Sequence, residues 1–300
     1  MPIAIDVDAL AAIDVHVHAH AAEGEATEAT AAARRYFGVT DVPLALDAVA
    51  AYYCERNMAC VVFTVDERLT GRTAVSNDEV LAAAAAHPDV FVPFVSVDPM
   101  RGPTALDEAQ RLIDKGARGF KLHPPLQQFE PNDRRAYPFY ELVQAARLPV
   151  IFHTGHSGIG TGMRGGGGVR LKYGHPMLID DVAVDFPDLP IVMAHPSFPW
   201  QDEAISVCLH KPLVHIDLSG WSPKYFSPTL VRYADTLLRE KMLFGSDYPM
   251  ITPDRWLRDF ASLPIRDEVR PLIVKENAAR LLGLRPSCAC RCRRDGSAPR

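Results

Sequence analysis

Hydrophobic and polar positions alternate in two distinct periods along most of this chain. Between residues 12 and 284, short apolar runs are followed by segments with apolar residues at helical spacing. Near-continuous runs of Val, Ile, Phe and Met are typical of parallel strands that are covered on both faces. These runs predict eight strands, over residues 13–18, 59–65, 90–97, 119–123, 150–153, 191–195, 214–218 and 242–245.

Helical spacing and end signals predict helices between these strands. Asp41 and Ser76 are candidate N-caps, while Gly116 and Gly283 are typical residues just beyond a helix C-terminus. The predicted helices span residues 43–56, 77–86, 104–115, 137–147, 177–185, 201–210, 228–238, 253–262 and 267–282.

Eight repeats of strand and helix predict an α/β protein that closes into a single-domain (β/α)8 TIM barrel. An open doubly wound sheet is the alternative, but no glycine fingerprint for a dinucleotide follows the first strand. We expect the barrel to span residues 1–285 and a disordered tail, rich in Cys and Arg, to span residues 286–300. Residues 19–42 form a longer connection of small and acidic residues, which could be a flap over the site.

Composition narrows the class of partner. The net charge of −5 argues against a nucleic acid or an anionic membrane as the partner. No apolar run reaches the roughly 18 residues that span a bilayer, and residues 1–6 lack the features of a signal peptide. We therefore expect a cytoplasmic enzyme that acts on a small-molecule substrate.

Histidines, a lysine and an aspartate stand at the ends of five predicted strands. On the first strand, His16 and His18 share a face because the side-chain period of a strand is two. The others are Lys121 and His123 on the fourth strand, His153 on the fifth, His195 on the sixth and Asp247 on the eighth. Strand ends meet at one face of such a barrel, where catalytic residues gather.

These residue types fit a divalent metal. Imidazole nitrogens and a carboxylate bind zinc and similar ions, and a catalytic site keeps one position open. We expect the ligands His16, His18, His153 and Asp247 to hold zinc, with manganese or cobalt as alternatives. A bound ion lowers the pKa of its water from about 15.7 towards 7 and polarises a carbonyl. His195 is then free to act as acid, base or electrophile. The competing interpretation is a strand whose histidines face solvent or bond to neighbours.

The motifs together resemble the amidohydrolase superfamily, in particular the amidohydrolase-2 branch that includes the aminocarboxymuconate semialdehyde and resorcylate decarboxylases. The matching stretches are residues 14–18, 119–124, 152–155, 185–195, 243–249 and 276–282. The resemblance covers nearly the whole chain up to Leu284. It implies a metal-dependent barrel with the four ligands named above, with His195 beside the metal, and it favours a homodimer.

Lys121 leaves the number of metals open. In hydantoinase-like relatives a lysine that ends the fourth strand is carboxylated and bridges two metals, whereas the decarboxylase branch resembles a one-metal site. By this analogy we expect one metal and a catalytic role for Lys121. The alternatives are a lysine that pairs with an acid at the barrel mouth or contacts substrate. His123 lies on the same face as Lys121 and could contact substrate or simply cap the loop.

Other polar residues are candidates for support of the ligands. Asp14 lies one strand step below His16 on the same predicted face and could accept a ring N–H from a ligand histidine. A structural aspartate at the start of a strand is the competing interpretation. His215, Asp217 and Ser219 share a face of the seventh strand, and we expect them to pack or to support the site.

A glycine-rich loop over residues 158–173 follows the fifth strand and carries Arg164, Arg170 and Lys172. Its positive charge would suit an anionic substrate, and a flexible solvent loop is the alternative. The expected substrate-binding residues are Arg164, His123, His156 and Trp221. This loop and residues 219–226 also resemble a subgroup of 4-hydroxyphenyl-β-ketoacyl-CoA hydrolases.

The sequence therefore supports two enzymatic hypotheses. The first is a metal-dependent hydrolase in which His195, Asp247 and Lys121 are catalytic and the substrate is a carbonyl compound with negative charge, such as a β-ketoacyl thioester. The second is a metal-dependent, non-oxidative decarboxylase of an aromatic or enoic acid. A barrel that binds a metal or ligand without catalysis is a third hypothesis, because a fold does not dictate an activity.

Overall fold

Eight parallel strands lie at the centre of the structure, a computed structural model that describes residues 4–20, 27–38, 44–67, 69–70 and 75–284. The strands are β1 (Ala12–His18), β2 (Met58–Phe63), β3 (Phe91–Pro93), β4 (Phe120–Leu122), β5 (Val150–His153), β6 (Ile191–Ala194), β7 (Val214–Asp217) and β8 (Met242–Leu243). All eight predicted strands are present. Several end before the apolar run does: Val95 and Val97 stay fully buried beyond the end of β3.

Two sets of strands close into one barrel. Strands β1 to β3 form one parallel set and β4 to β8 form another. A parallel bridge between Val95 and Phe120 joins β3 to β4. On the other side, Val17 pairs with Tyr248, and the Val15 N–H donates to the Phe244 carbonyl at 2.9 Å. The predicted (β/α)8 barrel is thereby confirmed, and the open-sheet alternative is wrong.

A bulge in β1 determines which of its side chains face the barrel interior. The pairing with β2 runs Asp14 to Cys60 and then Val17 to Val62, so two residues of β1 stand opposite one of β2. Such a bulge interrupts the alternation of faces. His16 and His18 remain on one face as predicted, but Asp14 lies on the other, against α2. The prediction that Asp14 shares the face of His16 is therefore wrong.

Helices follow the strands around the barrel. They are α1 (Glu28–Phe37), α2 (Leu46–Cys54), α3 (Asn77–Ala86), α4 (Pro103–Asp114), α5 (Pro124–Gln127), α6 (Tyr137–Ala145), α7 (Met177–Asp185), α8 (Gln201–His210), α9 (Pro228–Asp235), α10 (Pro253–Ala261) and α11 (Asn277–Leu281). Helices α3, α7 and α8 have the predicted bounds. Ser76 caps α3 as expected, because its Oγ accepts from the Glu79 N–H while the Glu79 carboxylate accepts from the Ser76 N–H.

Two helical regions differ from the prediction. The connection over residues 19–42 contains α1, which the alanine-rich pattern did not reveal. The single helix expected over residues 267–282 instead contains a π-helical turn, Leu272–Glu276, followed by α11. The Ile273 carbonyl accepts from the Phe244 N–H at 2.9 Å, so this carbonyl joins the end of the chain to β8.

Some predictions concern residues that the structure does not describe. The candidate N-cap Asp41 and the tail over residues 286–300 both lie outside the described residues, so they stay predictions. In the described part of the chain, none of the helices is both long enough and apolar enough to cross a membrane.

Candidate active site

A cavity of about 360 Å³ opens where the strands end. His18, His153, His195 and Asp247, from the ends of β1, β5, β6 and β8, all line it. This is the arrangement expected at the carboxyl-terminal face of a barrel. The strand ends therefore bring the predicted residues to one place from positions far apart in the sequence.

Three of the predicted metal ligands converge at this cavity. The Asp247 Oδ1 atom lies 3.3 Å from His16 Nε2 and 3.1 Å from His18 Nε2. One ligand atom from each of the three residues falls within a 4.8 Å span. Asp247 has a positive φ of 70°, and its N–H donates to the His16 carbonyl at 3.0 Å, which ties this turn to β1. The arrangement gives two imidazole nitrogens and one carboxylate oxygen for a single ion.

His16 is oriented by residues of β7. Its Nδ1 lies 2.6 Å from Asp217 Oδ2 and 3.0 Å from Ser219 Oγ. When Asp217 is ionised its carboxylate only accepts hydrogen bonds, so the proton of His16 belongs on Nδ1 and its Nε2 carries the lone pair. This is the carboxylate–histidine arrangement that fixes the tautomer of a metal ligand. Asp217 therefore has the supporting role that the sequence analysis considered for Asp14.

A chain of hydrogen bonds connects Asp217 to His153 through Ser219 and His195. Ser219 donates its hydroxyl proton to Asp217 Oδ2 at 2.8 Å, so Ser219 Oγ accepts the Nδ1–H of His195 at 3.0 Å. The Nε2 of His195 is then the acceptor for the Nδ1–H of His153, also at 3.0 Å. His153 Nε2 is left as a buried lone pair that has no hydrogen-bond partner among the described residues. A buried imidazole nitrogen without a partner needs an explanation, and a metal ion would supply one.

Asp14 stabilises the junction between β1 and β8 instead of holding a ligand. Its carboxylate accepts from the Tyr53 hydroxyl at 2.8 Å and from the N–H groups of His16 and Ser246 at 3.0 and 2.9 Å. Burial raises the pKa of Asp14 to about 6. The prediction that Asp14 accepts a ring N–H is wrong, because the bulge in β1 turns it away from the histidines.

Lys121 is fully buried beside His16. Its Nζ lies 3.3 Å from His16 Nε2 and 5.0 Å from the centre of the Phe63 ring. Burial lowers the pKa of Lys121 and raises that of Asp217, and the attraction between the two charges acts against both shifts. Lys121 is not among the residues that line the cavity. It can therefore act on the ligand His16 more directly than on a substrate in the described cavity.

Burial disfavours the charged form of three histidines of the site. Burial lowers the pKa of His195 to about 4 and holds those of His16 and His153 well below their usual value. Burial also raises the pKa of the Asp247 carboxyl to about 6. Neutral imidazoles are able to bind a metal or accept a proton.

Gly220 fits against His195, which has a positive φ of 74°. A Cβ atom at Gly220 would collide with the His195 imidazole, and Gly220 itself has a φ of 72°. Only glycine allows this close approach without strain. The backbone after β7 therefore helps to fix the ring of His195.

The predicted substrate-binding residues fall into two groups. His123, His156 and Trp221 line the cavity, and His123 stacks on His153 with ring centres 3.9 Å apart. Arg164 is exposed and is not among the lining residues. The structure therefore does not bring Arg164 together with the others. In the same loop, Lys172 pairs with Glu130 at 3.1 Å.

Several lining residues were not predicted. Tyr36 and Phe37 reach the cavity from α1, so part of the connection considered as a flap does adjoin the site. Residues 21–26 and 39–42 of that connection lie outside the described residues. His20 and Arg255 also line the cavity. The sequence shows their residue types, but no strand-end pattern marks them.

Comparisons with known proteins agree with this geometry. A family model described as amidohydrolase, Amidohydro_2, matches residues 13–284. No curated protein matches the chain. An uncharacterised TIM-barrel protein from Bordetella bronchiseptica is 27% identical, with a TM-score of 0.76 over 91% of this chain and 98% of that one.

Two further similar structures are named as enzymes. A probable 2-pyrone-4,6-dicarboxylic acid hydrolase from Acinetobacter baumannii, with citric acid bound, is 18% identical, with a TM-score of 0.61 over 91% of this chain and 99% of that one. A dihydroxybenzoic acid decarboxylase from a Polaromonas species, with bound manganese and the inhibitor 2-nitroresorcinol, is 17% identical, with a TM-score of 0.62 over 92% and 97%. At these identities the likeness extends to the fold alone.

Proposed function

The chain belongs to the Amidohydro_2 family of amidohydrolases, and from this premise we propose that it is a metal-dependent hydrolase of a carbonyl compound with negative charge. The observation that carries the proposal is the convergence of His16 Nε2, His18 Nε2 and Asp247 Oδ1 at the cavity. His153 lies outside this group of three, but its side chain lines the same cavity and its buried lone pair is a candidate fourth donor. Two or more imidazoles and a carboxylate around an accessible cavity are typical of a catalytic metal site.

The donor set fits a divalent ion held by His16, His18, His153 and Asp247. Three imidazoles and one carboxylate suit zinc, and the same set accepts manganese or cobalt. Manganese is the ion in the similar decarboxylase from the Polaromonas species. When bound, the ion would polarise a substrate carbonyl and make a water molecule more acidic.

The chain's own residues would move the protons of the reaction. Asp247 lies at the cavity and its carboxylate can accept a proton from the attacking water and return it to the leaving group. His195 is held by Ser219 and by His153, so its ring is aimed before substrate binds. Lys121 is close enough to His16 to stabilise negative charge that develops beside it. The homodimer and the cytoplasmic location stay predictions.

The second candidate is a non-oxidative decarboxylase of an aromatic or enoic acid. The observation that favours it is the aromatic character of the cavity wall, to which Tyr36, Phe37 and Trp221 contribute. Aromatic side chains pack well against a planar ring. In this reaction a proton must be delivered to carbon, and His195 or Asp247 would deliver it.

Labelled water separates the two reactions. Protein loaded with zinc or manganese is incubated in ¹⁸O-water with esters, amides and β-ketoacyl thioesters, and in parallel with hydroxybenzoates. The proposal predicts one ¹⁸O atom in the carboxylate product and no release of carbon dioxide. Carbon dioxide release without ¹⁸O incorporation would establish the decarboxylase instead. Asp247→Asn is the negative control, and its turnover is expected to disappear.

A further inference from the structure

Arg255 contributes a positive charge to the wall of the cavity. It lies in the first turn of α10, shortly after Asp247 in the sequence, and is partly buried. Among the described residues that line the cavity, it is the only arginine or lysine. Among the side chains that the structure describes at this wall, Arg255 therefore supplies the fixed positive charge that a substrate would meet, apart from a bound metal.

The two carboxylates of α10 do not neutralise Arg255. Asp254 is bound by Arg56, whose Nη2 lies 2.9 Å away, and by the Tyr52 hydroxyl at 3.1 Å. Asp259, one turn further along α10, accepts from the Ser222 hydroxyl at 2.6 Å. The described residues supply no ion pair and no side-chain hydrogen bond to Arg255. Its five N–H donors are thus available to a ligand.

The position of Arg255 is unfavourable for the helix. The N-terminus of a helix carries a partial positive charge, so a basic side chain in the first turn is repelled by it. Thr252 caps this end of α10 by accepting the Arg255 N–H at 3.3 Å, which keeps the residue in that turn. An unpaired arginine in this turn destabilises α10, and a bound anionic ligand would offset this destabilisation.

Apolar side chains line the same cavity as Arg255, together with polar residues such as Ser222. Met250 and Ile251 precede α10, and Trp221 and Tyr225 come from the segment after β7. These side chains offer aromatic and aliphatic surface in the cavity that also contains the charge of Arg255. A cavity of about 360 Å³ is of the size that binds small organic molecules. The matching ligand has an apolar or aromatic body and one anionic group.

We propose that Arg255 binds the carboxylate of an amphipathic substrate whose apolar body lies against Trp221 and Met250, with its reacting carbonyl towards Asp247 and His195. This inference rests on the proposed function and adds the substrate class and the residue that selects it. A single arginine balances the single charge of a carboxylate, whereas a phosphate dianion would leave one charge uncompensated. Arginine and carboxylate also match in a two-bond geometry.

Binding of a matched pair of probes tests Arg255. The probes are 3-phenylpropionate and its neutral isostere 3-phenylpropionamide, titrated calorimetrically into metal-loaded protein. Because a hydrogen bond to a charged group is stronger than one between neutral groups, the wild-type protein should bind the acid at least about tenfold more tightly than the amide. In Arg255→Gln this preference should fall to about twofold, while the affinity for the amide stays unchanged. The unchanged amide affinity shows that the cavity is intact.

Control variants make the result specific to this residue. Arg258→Gln removes a charge one turn further along α10, where the side chain is 71% exposed, and should keep the full preference. Three results would overturn the proposal: no preference in the wild-type protein, a preference that persists in Arg255→Gln, or its loss in Arg164→Gln alone. The second would place the carboxylate on the metal, and the third would place it on the glycine-rich loop.

The same variants separate this proposal from the proposed hydrolase. If Arg255→Gln removes the preference for the acid but no substrate incorporates ¹⁸O, the carboxylate site stands and the hydrolase fails. If the wild-type protein hydrolyses neutral and anionic esters equally well, the hydrolase stands and the role of Arg255 fails.

Discussion

At the residue scale, the site depends on where each imidazole carries its proton. Asp217 fixes the proton of His16 on Nδ1. Ser219 fixes the proton of His195 on Nδ1, and His195 in turn accepts the Nδ1–H of His153. His16 and His153 therefore both present Nε2 as a lone pair. The candidate metal ligands could be predicted from the sequence, because each stands at the end of a predicted strand and these ends meet at one face of the barrel. The partner of His16 could not, because Asp14 and Asp217 are equivalent candidates until the bulge in β1 is known.

Asp217→Asn should weaken metal binding. The amide can no longer accept strongly from His16 Nδ1, so the tautomer that leaves Nε2 free is less favoured. We expect the metal affinity to fall about 10- to 100-fold, measured by competition with a fluorescent chelator. His215→Gln is the matched control, because His215 lies on the same strand but makes no hydrogen bond to His16 in the described structure. Equal affinities in wild type and Asp217→Asn would contradict the assigned role.

Gly220→Ala should impair catalysis more than folding. The new methyl group would collide with the His195 ring, so we expect kcat to fall by about tenfold or more, since small displacements of a catalytic group carry large rate costs. Gly162→Ala is the control for backbone strain, because Gly162 has a φ of 80° and open space at the Cβ position. Similar kcat values in both variants would show that the contact with His195 does not matter.

At the element scale, the bulge in β1 links the site to helix α2. It turns Asp14 outward to the Tyr53 hydroxyl while His16 and His18 face the cavity. The alternation of apolar and polar residues predicted the strand and its two histidines correctly. It could not predict the bulge, because an extra residue in a ladder depends on the pairing with β2 and β8 and leaves the pattern of residue types unchanged.

Tyr53→Phe should destabilise the protein by about 1–2 kcal/mol, because the buried Asp14 carboxylate loses a hydrogen-bond donor. Tyr52→Phe is the control: its hydroxyl bonds to the more exposed Asp254, and the expected loss is smaller. Urea unfolding of metal-loaded protein gives both values. If Tyr52→Phe were the more destabilising change, the structural role of the Asp14–Tyr53 bond would be refuted.

The wall of the cavity shows the limit of prediction from strand patterns. Tyr36 and Phe37 come from α1, a helix within the segment that was predicted only as a connection, and Arg255 comes from α10. The composition of the glycine-rich loop predicted substrate binding by Arg164, yet this side chain is exposed and does not line the cavity. Loops and helix ends are positioned by tertiary packing, so their residues carry little signal in the local sequence.

At the scale of the whole molecule, closure of the barrel creates the site. Asp217 of β7 and Asp247 after β8 meet His16 of β1 only because the last strand pairs with the first, through Val17 and Tyr248. The fold class and the strand order were predictable, because eight apolar runs alternate with helices. A closed ring also means that a ligand held by both β1 and β8 links the beginning and end of the barrel.

Metal binding should therefore stabilise the whole barrel. An ion that binds only the folded protein contributes about 2.7 kcal/mol at a free concentration 100 times its dissociation constant. For a chain of this size we expect Tm to rise by about 5–10 °C, measured by calorimetry of chelator-treated protein with and without zinc or manganese. His18→Gln should lose most of the shift. An equal shift in this variant would mean that the stabilising ion binds elsewhere.

Anomalous diffraction from a crystal of zinc-loaded protein would show whether His16, His18, His153 and Asp247 form one metal site. We expect a single strong peak about 2.0–2.2 Å from three imidazole nitrogens and the Asp247 carboxylate. A second peak beside Lys121 would contradict the single-site assignment and indicate a bridging lysine. A peak away from the cavity, or none at all, would contradict the proposed metal centre.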